Sequence, residues 1–169
     1  MGSEMCIRDR HLIERGYRSF AYVRSQSGSD LRATKRFEAF ARVVQEAGAR
    51  IVEVATADEA SSMEVGRSAT HRLLNRPEPP RAIYFANDDL AAGGLMHCLA
   101  EGLDVPGQVA LAGFNGLGFI SALPKLITTT VTPRYEIGKS AAAWLMEEQG
   151  EDRPTAVELK TELRVGQTT

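Results

Sequence analysis

Residues 81–114 read RAIYFANDDLAAGGLMHCLAEGLDVPGQVALAGF, and this stretch decides the fold class. It holds two short apolar runs, 82–86 and 109–114, and each opens at its C-terminal end onto polar residues. Continuous apolar runs of this length are expected of strands covered on both faces. Small-molecule sites are built where such strands end. The first run stops at Asn87-Asp88-Asp89, where a helix begins. Asn or Asp caps free amides, further acids suit the positive end of the helix dipole, and Leu90, Leu95, Met96 and Leu99 recur at helical spacing. Gly102 closes that helix. The second run ends at Asn115-Gly116.

Working outward, the same alternation repeats. Residues 11–15 with Gly16 read as the last turns of a helix, and 19–23 as a strand. Asp30 is placed to cap a helix carrying Ala33, Phe37, Phe40, Ala41 and Val44, which ends at Gly48. Residues 51–55 read as a strand and 59–75 as a helix, stopped by the prolines of Pro77-Glu78-Pro79-Pro80. Strand alternating with helix implies an α/β fold, a parallel sheet with helices on both faces. Beyond it come a loop over 116–125 carrying Phe119, Ile120 and Leu123, a β-branched strand over 127–132, a helix over 133–149 and a last strand over 157–165.

A chain of 169 residues, 43% hydrophobic and 25% charged, can bury a substantial core. Its formal net charge of -2 gives no electrostatic footprint for nucleic acid, so DNA is not an expected partner of this polypeptide by itself. No apolar stretch reaches the roughly 18 to 20 residues that span a bilayer, and no signal-peptide core precedes the first strand; the folded part reads as cytoplasmic. The two cysteines form no motif, and Cys98, among Leu95, Met96 and Leu99, reads as a buried thiol rather than a metal ligand or disulfide partner.

Three pieces in order, FANDDLAAGGL (85–95), GLDVPGQVALAGFNG (102–116) and TTTVTPRYEIGKSAA (128–142), resemble the effector-binding core of the LacI/GalR family of bacterial transcription repressors. The TPRYEIG segment resembles the gluconate-utilisation branch most. The resemblance runs from about His11 to the C-terminus. It implies a periplasmic-binding-protein-like fold of two lobes closing on a small effector, joined in the whole protein to an N-terminal helix-turn-helix. It also implies one complete lobe and part of a second here: residues 11–128 as the C-terminal lobe, 129–153 as a crossover strand and helix of the other lobe, and 154–169 as the returning strand. Residues 1–10, MGSEMCIRDR, match neither the remainder nor the family and read as a non-native leader. On the crossover helix, Ile137, Ala141, Trp144 and Leu145 would face that other lobe, and left uncovered they expose roughly several hundred Å² of apolar surface.

The resemblance also nominates site residues. Arg36, in RFEAF, matches the family arginine that reaches effector hydroxyls or carboxylate, a task suited to a planar fork of donors; a solvated helix position is the other reading. Arg32, one turn earlier, adds charge or remains a surface residue, and Lys35 reads as surface. Asn87 matches an asparagine that closes on sugar hydroxyls, and it is equally a helix cap. Asp88 reads as capping or supporting the site. Asp88 and Asp89 diverge on a helix and make a poor metal pair. Asn115 stands where the family commonly has aspartate in a Gly-Phe-Asp pattern; losing that charge suits an anionic effector such as gluconate, while Asn-Gly also favours a turn. Arg134 would lie near the interlobe crossing or simply in the first turn of its helix, behind Pro133.

Leu95, Met96, Leu99, Phe119 and Leu123 resemble the family's dimer-forming surfaces, and Ala91-Ala92-Gly93-Gly94 would permit close helix approach; these residues could also pack on the sheet. His11, His71 and His97 lie far apart in the sequence and form no catalytic set. With no phosphate loop, nucleophile elbow or metal cluster, neither an enzyme nor a cofactor is expected. The expected partners are a sugar or sugar-acid effector and a second copy of the chain, with operator DNA reached only through the missing head and no membrane. The alternative is a periplasmic sugar-binding protein of an ABC transporter, which shares the two-lobed fold.

Overall fold

In the computed structural model, described for residues 7–25, 31–57, 60–146 and 156–169, the core is a six-stranded sheet. Its strands are β1 (Ser19–Ser25), β2 (Arg50–Ala57), β3 (Ala82–Phe85), β4 (Ala110–Asn115), β5 (Thr128–Val131) and β6 (Glu162–Arg164), in the order β2-β1-β3-β4-β5-β6. The helices are α1 (Ile7–Glu14), α2 (Leu31–Glu46), α3 (Met63–Leu74), α4 (Asp88–Ala100) and α5 (Arg134–Met146), with a 3-10 turn over Gly118–Ala122. The chain moves one way from β1 through α2 to β2, then reverses through α3 to β3. Right-handed crossovers therefore place α2 and α3 on opposite faces. α1 packs beside α2, and α4 beside α3.

The expected alternation holds in order and type through β4. The Asp30 cap and the proposed start of a helix at Glu59 lie outside the described residues; the helix that follows begins at Met63, where Ser62 accepts from the Val65 amide at 3.2 Å. The sheet departs from parallel at its edge, because β6 runs antiparallel to β5 and covers only three of the residues expected of the last strand.

One boundary needs correcting. The strand assigned to the other lobe is part of this sheet: β5 pairs with β4 in parallel from Thr128 to Val131, and Thr128, Thr129 and Thr130 are buried. Any departure from the lobe therefore begins beyond Val131. The helix after it does behave as an element without a home, since α5 buries none of its residues and leaves Tyr135 79%, Leu145 75% and Met146 86% exposed.

Each face has its own core. On the α2 side, alternate residues of β1 and β3 meet the helix in an aromatic stack: Tyr22 lies on Tyr84 with centroids 4.9 Å apart, and Phe40 closes on Tyr84 at 4.5 Å and on Phe20 at 5.7 Å. Each such buried ring contributes about 1.5 to 3 kcal/mol in apolar area alone. On the other side α3 and α4 touch backbone to backbone. A Cβ on Gly66 would collide with the Leu90 carbonyl, and one on Gly93 with the Met63 carbonyl. The small residues of α4 thus serve a helix contact inside the chain, where the sequence left open a contact between subunits or packing on the sheet.

Candidate functional site

The direction of winding reverses between β1 and β3, and in doubly wound sheets ligands bind beyond the carboxyl ends of the strands at such a point. The polar residues of this chain gather there. Asp88, the first residue of α4, is fully buried. Its Oδ1 accepts from the Thr129 hydroxyl at 2.6 Å, and its Oδ2 accepts from the Leu117 amide at 2.7 Å. Burial pushes its carboxyl above the ordinary value, and these hydrogen bonds pull back against that shift. Gly113 passes so close that a Cβ there would strike the Asp88 carboxylate. Asp88 therefore ties α4, β5 and the loop after β4 together; its carboxylate serves the protein's own donors.

Asn87 is the cap of α4. Its Oδ1 accepts from the Leu90 amide at 3.0 Å, which decides between its two readings as far as that oxygen is concerned. Asn115 closes β4 opposite Val131, and its carbonyl accepts from the Thr132 amide at 3.2 Å. Its φ of 112°, followed by 67° at Gly116, is a conformation that an L side chain adopts only at a cost of about 1 to 3 kcal/mol. The Asn-Gly pair takes positive φ at both residues without closing a hydrogen-bonded turn, and Asn115 is strained at the strand end where the site lies.

Arg36, on the first half of α2, lays its guanidinium over the Phe114 ring at 4.4 Å from the centroid. It is half-buried, and its Nε is buried without a hydrogen-bond partner. It is not the freely solvated arginine of the alternative reading, whereas Lys35 beside it is exposed. Arg32 lies on α2, with its side chain outside the described residues. Arg134 is exposed in the first turn of α5, shortly beyond the ladder partner of Asn115.

Sequence reading missed four contributors. Tyr22 and Arg24 stand two apart on β1, so they share the face that α2 covers. The Tyr22 hydroxyl and the Arg24 Nε are both buried without partners, and the Arg24 guanidinium sits 5.7 Å from the Phe37 centroid. An arginine ending a buried apolar strand was the available signal. Arg8 and Asp9 come from the stretch set aside as a leader: α1 begins at Ile7, so the boundary after residue 10 falls inside a helix. The Arg8 guanidinium stacks 3.4 Å from the Tyr84 centroid and donates to the Gly113 carbonyl. Its Nε and Nη2 are without partners, as are both carboxylate oxygens of Asp9. Burial pushes Asp9 up to about 7 and Arg8 down to about 10, with each partly restoring the other's charge.

The nominated dimer surface divides. Leu95 is fully buried in the core and is withdrawn as a contact residue. Met96 is 39% and Phe119 38% exposed, while Leu99 and Leu123 are partly buried against the core. The histidines are not all apart: His71 and His97 meet edge to face across α3 and α4 at 5.3 Å, and His11 pairs with the Thr169 hydroxyl at 2.8 Å. Cys98 is the buried free thiol expected, its pKa raised by burial to about 11. Among the described residues, no group of three or more His, Cys, Asp or Glu could hold a metal ion, and no helix is long and apolar enough to cross a membrane.

The sequence profile of the periplasmic binding protein-like domain matches residues 10–169. The HTH-type transcriptional regulator GntR of Pseudomonas aeruginosa is 38% identical over 139 residues, 80% of this chain and 39% of that protein. The crystal structure of the transcription regulator GntR from Chromobacterium violaceum superposes with a TM-score of 0.89 at 29% identity, covering 99% of this chain and 62% of that one. A LacI family regulator from Arthrobacter sp. FB24, solved in complex with lactose, shares the fold at 23% identity and a TM-score of 0.81, over 98% of this chain and 63% of that one. The chain thus spans about two fifths of the length of the curated relative. It belongs to the periplasmic binding protein-like domain family, in the form carried by LacI-family transcriptional regulators.

Proposed function

We propose that this chain is the effector-sensing part of a LacI-type DNA-binding transcriptional regulator, responsive to a sugar or sugar acid such as gluconate, and that it acts in the cytoplasm without catalysis. The observation that carries this reading is Arg36. Its guanidinium is held on Phe114 beside the strained Asn115, at the strand ends, with a buried Nε that has no partner. The curated relative is a transcriptional regulator, which favours this reading over a periplasmic receptor. Asn115 supplies an amide where a carboxylate would repel an anion, and Arg134 lies on the side from which a second lobe would close. Asn87 and Asp88 support the site by capping α4 and anchoring the loop after β4.

In the whole protein an effector bridging two lobes binds one closure state better than the other, and only that difference shifts the equilibrium. Coupling of this kind is typically about 1 to 3 kcal/mol. Met96, Leu99, Phe119 and Leu123 offer the surface for a second copy of the chain, through which closure would reach the DNA heads. The apolar face of α5 belongs against the other lobe. Residues 1–10 remain, in this reading, a non-native leader. The support is physical: Arg8 and Asp9 bury four polar atoms without partners, a costly mismatch.

The test is Arg36→Ala in a regulator containing this segment together with its DNA-binding head. Affinity for gluconate is expected to fall by about 2 kcal/mol, roughly thirtyfold. An unchanged affinity would return Arg36 to the protein surface.

A further inference from the structure

Asn115-Gly116 stands apart from the other two asparagines of the chain, Asn75-Arg76 and Asn87-Asp88. The Asn75 side chain donates to the His71 carbonyl at 3.0 Å, and the Asn87 side chain accepts from the Leu90 amide at 3.0 Å. Among the described residues, no hydrogen bond holds the side chain of Asn115. Asn115 and Gly116 are both half-buried, so each keeps some surface open to water. Arg76 and Asp88 carry side chains that crowd an approach to their own peptide nitrogen, and glycine carries none. The fold keeps that glycine in place, because at a φ of 67° a Cβ on Gly116 would meet the Val131 Cα at 2.9 Å.

The peptide joining Asn115 to Gly116 is polarised from both ends. Its carbonyl accepts from the Thr132 amide at 3.2 Å, and its N–H faces the Asp88 carboxylate as a hydrogen-bond donor. The Leu117 amide, the next along the chain, holds Oδ2 of the same carboxylate at 2.7 Å and so fixes it against this backbone. Donation to the carbonyl oxygen stabilises the charge that spreads onto the peptide when its nitrogen loses a proton. A carboxylate facing that nitrogen is placed to take the proton. Burial, which raises the Asp88 pKa, also makes it a stronger base than an exposed aspartate.

We infer that Asn115 is a deamidation site, at which Asp88 acts as general base on the Gly116 nitrogen and the product adds a negative charge to the end of β4. Asp88 accepts the Gly116 proton as the nitrogen attacks Cγ of Asn115 and closes a cyclic imide. The bond from Cγ to the side-chain nitrogen breaks, and that nitrogen takes a proton from Asp88 and leaves as ammonia. Water then opens the imide, at Cγ to give aspartate or at the backbone carbonyl carbon to give isoaspartate. Nothing is oxidised or reduced. Aspartate sets a second carboxylate at the strand end near Asp88; isoaspartate inserts a methylene into the backbone where Asn115 pairs with Val131. The inference is independent of the proposed effector function.

The experiment incubates the 169-residue chain at neutral pH, native and in urea, and follows acid formation by peptide mapping in the mass spectrometer, with isoaspartate counted by enzymatic methylation. The native chain is expected to convert at Asn115 faster than the chain in urea, with Asn75 and Asn87 intact. Urea removes Asp88 and Thr132 from the peptide and leaves the Asn-Gly sequence, so the ratio of the two rates isolates what the fold contributes. In Asp88→Asn, shown by its urea unfolding curve to be folded, native conversion should slow by about tenfold or more. Conversion slower in the native chain than in urea would overturn the inference, the fold then protecting Asn115. A folded Asp88→Asn that converts as fast as the parent would overturn the role of Asp88 as base. If that variant does not fold, the native-to-urea ratio of the parent decides alone.

Discussion

Removing the Asp88 carboxylate should loosen the whole site at once. In Asp88→Ala, a buried and a part-buried donor lose their acceptor: the Thr129 hydroxyl, 2.6 Å from Oδ1, and the Leu117 amide, 2.7 Å from Oδ2. A buried donor left unsatisfied costs about 1 to 3 kcal/mol. The Thr129 hydroxyl can turn toward the Thr130 carbonyl, which it already reaches at 3.5 Å, so its share falls at the low end. The Leu117 amide is fixed by the backbone, so it cannot turn to another acceptor, and being part-buried it pays within that range. Against this stands relief from burying a carboxylate whose pKa is raised chiefly by desolvation. The balance is about 3 kcal/mol of lost stability, or roughly 6 to 12 °C in Tm for a domain of this size. Asp88→Asn is milder, about 1 kcal/mol, because an amide oxygen still accepts from Leu117 and the amide nitrogen donates to a hydroxyl that can reverse. Urea unfolding would measure both; the midpoint should fall at unchanged slope. If Asp88→Ala lies within 1 kcal/mol of the parent, the carboxylate is not the tie between α4, β5 and the loop.

Further consequences can be measured on the same chain. Because burial raises the Asp9 pKa from 3.8 to about 7, the folded state binds the extra proton between those values; stability contributed by this residue rises as pH falls through 7, and Asp9→Asn should flatten that slope in unfolding curves taken from pH 5 to 8. His97, whose pKa is lowered by burial, works in the opposite sense below its ordinary value, so the comparison must be made between parent and variant at each pH. Truncating both leader residues, Arg8→Ala with Asp9→Ala, should raise Tm, since orphaned buried polar groups are removed; a fall in Tm would make them native parts of the fold. Asn115→Gly should stabilise, and Asn115→Ala destabilise by about 1 kcal/mol, given the φ of 112°. Gly93→Ala should cost about 1 to 3 kcal/mol, because its methyl meets the Met63 carbonyl, which belongs to backbone and cannot swing aside.

Periodicity made the sheet and its helices legible, since apolar runs and 3.6-residue spacing reflect burial directly. β1 through β4 and α2 through α4 follow from them in order and type. What escaped depends on contacts distant in sequence. Nothing local to 128–131 distinguishes a strand added to this sheet from one given to another lobe; pairing with β4 decides it. Leu95 and the small residues of α4 read equally as an outer or an inner surface, and the collision course of Gly66 and Gly93 with the opposite backbones makes them inner. At the site, Arg36 is nominated by its motif alone, and Asn87 reads as cap or ligand contact until the Leu90 amide engages its Oδ1. Tyr22 and Arg24 were passed over as strand residues, because their lack of partners appears only when β1, β3 and α2 come together. His71 and His97 are likewise brought side by side by helix packing alone.

The central claim, that this lobe senses an effector for a transcriptional regulator, is tested most directly by sequencing the source gene upstream of the codon for His11. The account predicts the remainder of a first lobe, preceded by a hinge and a helix-turn-helix. A cleavable signal peptide in their place would contradict it and make the chain part of a transport receptor.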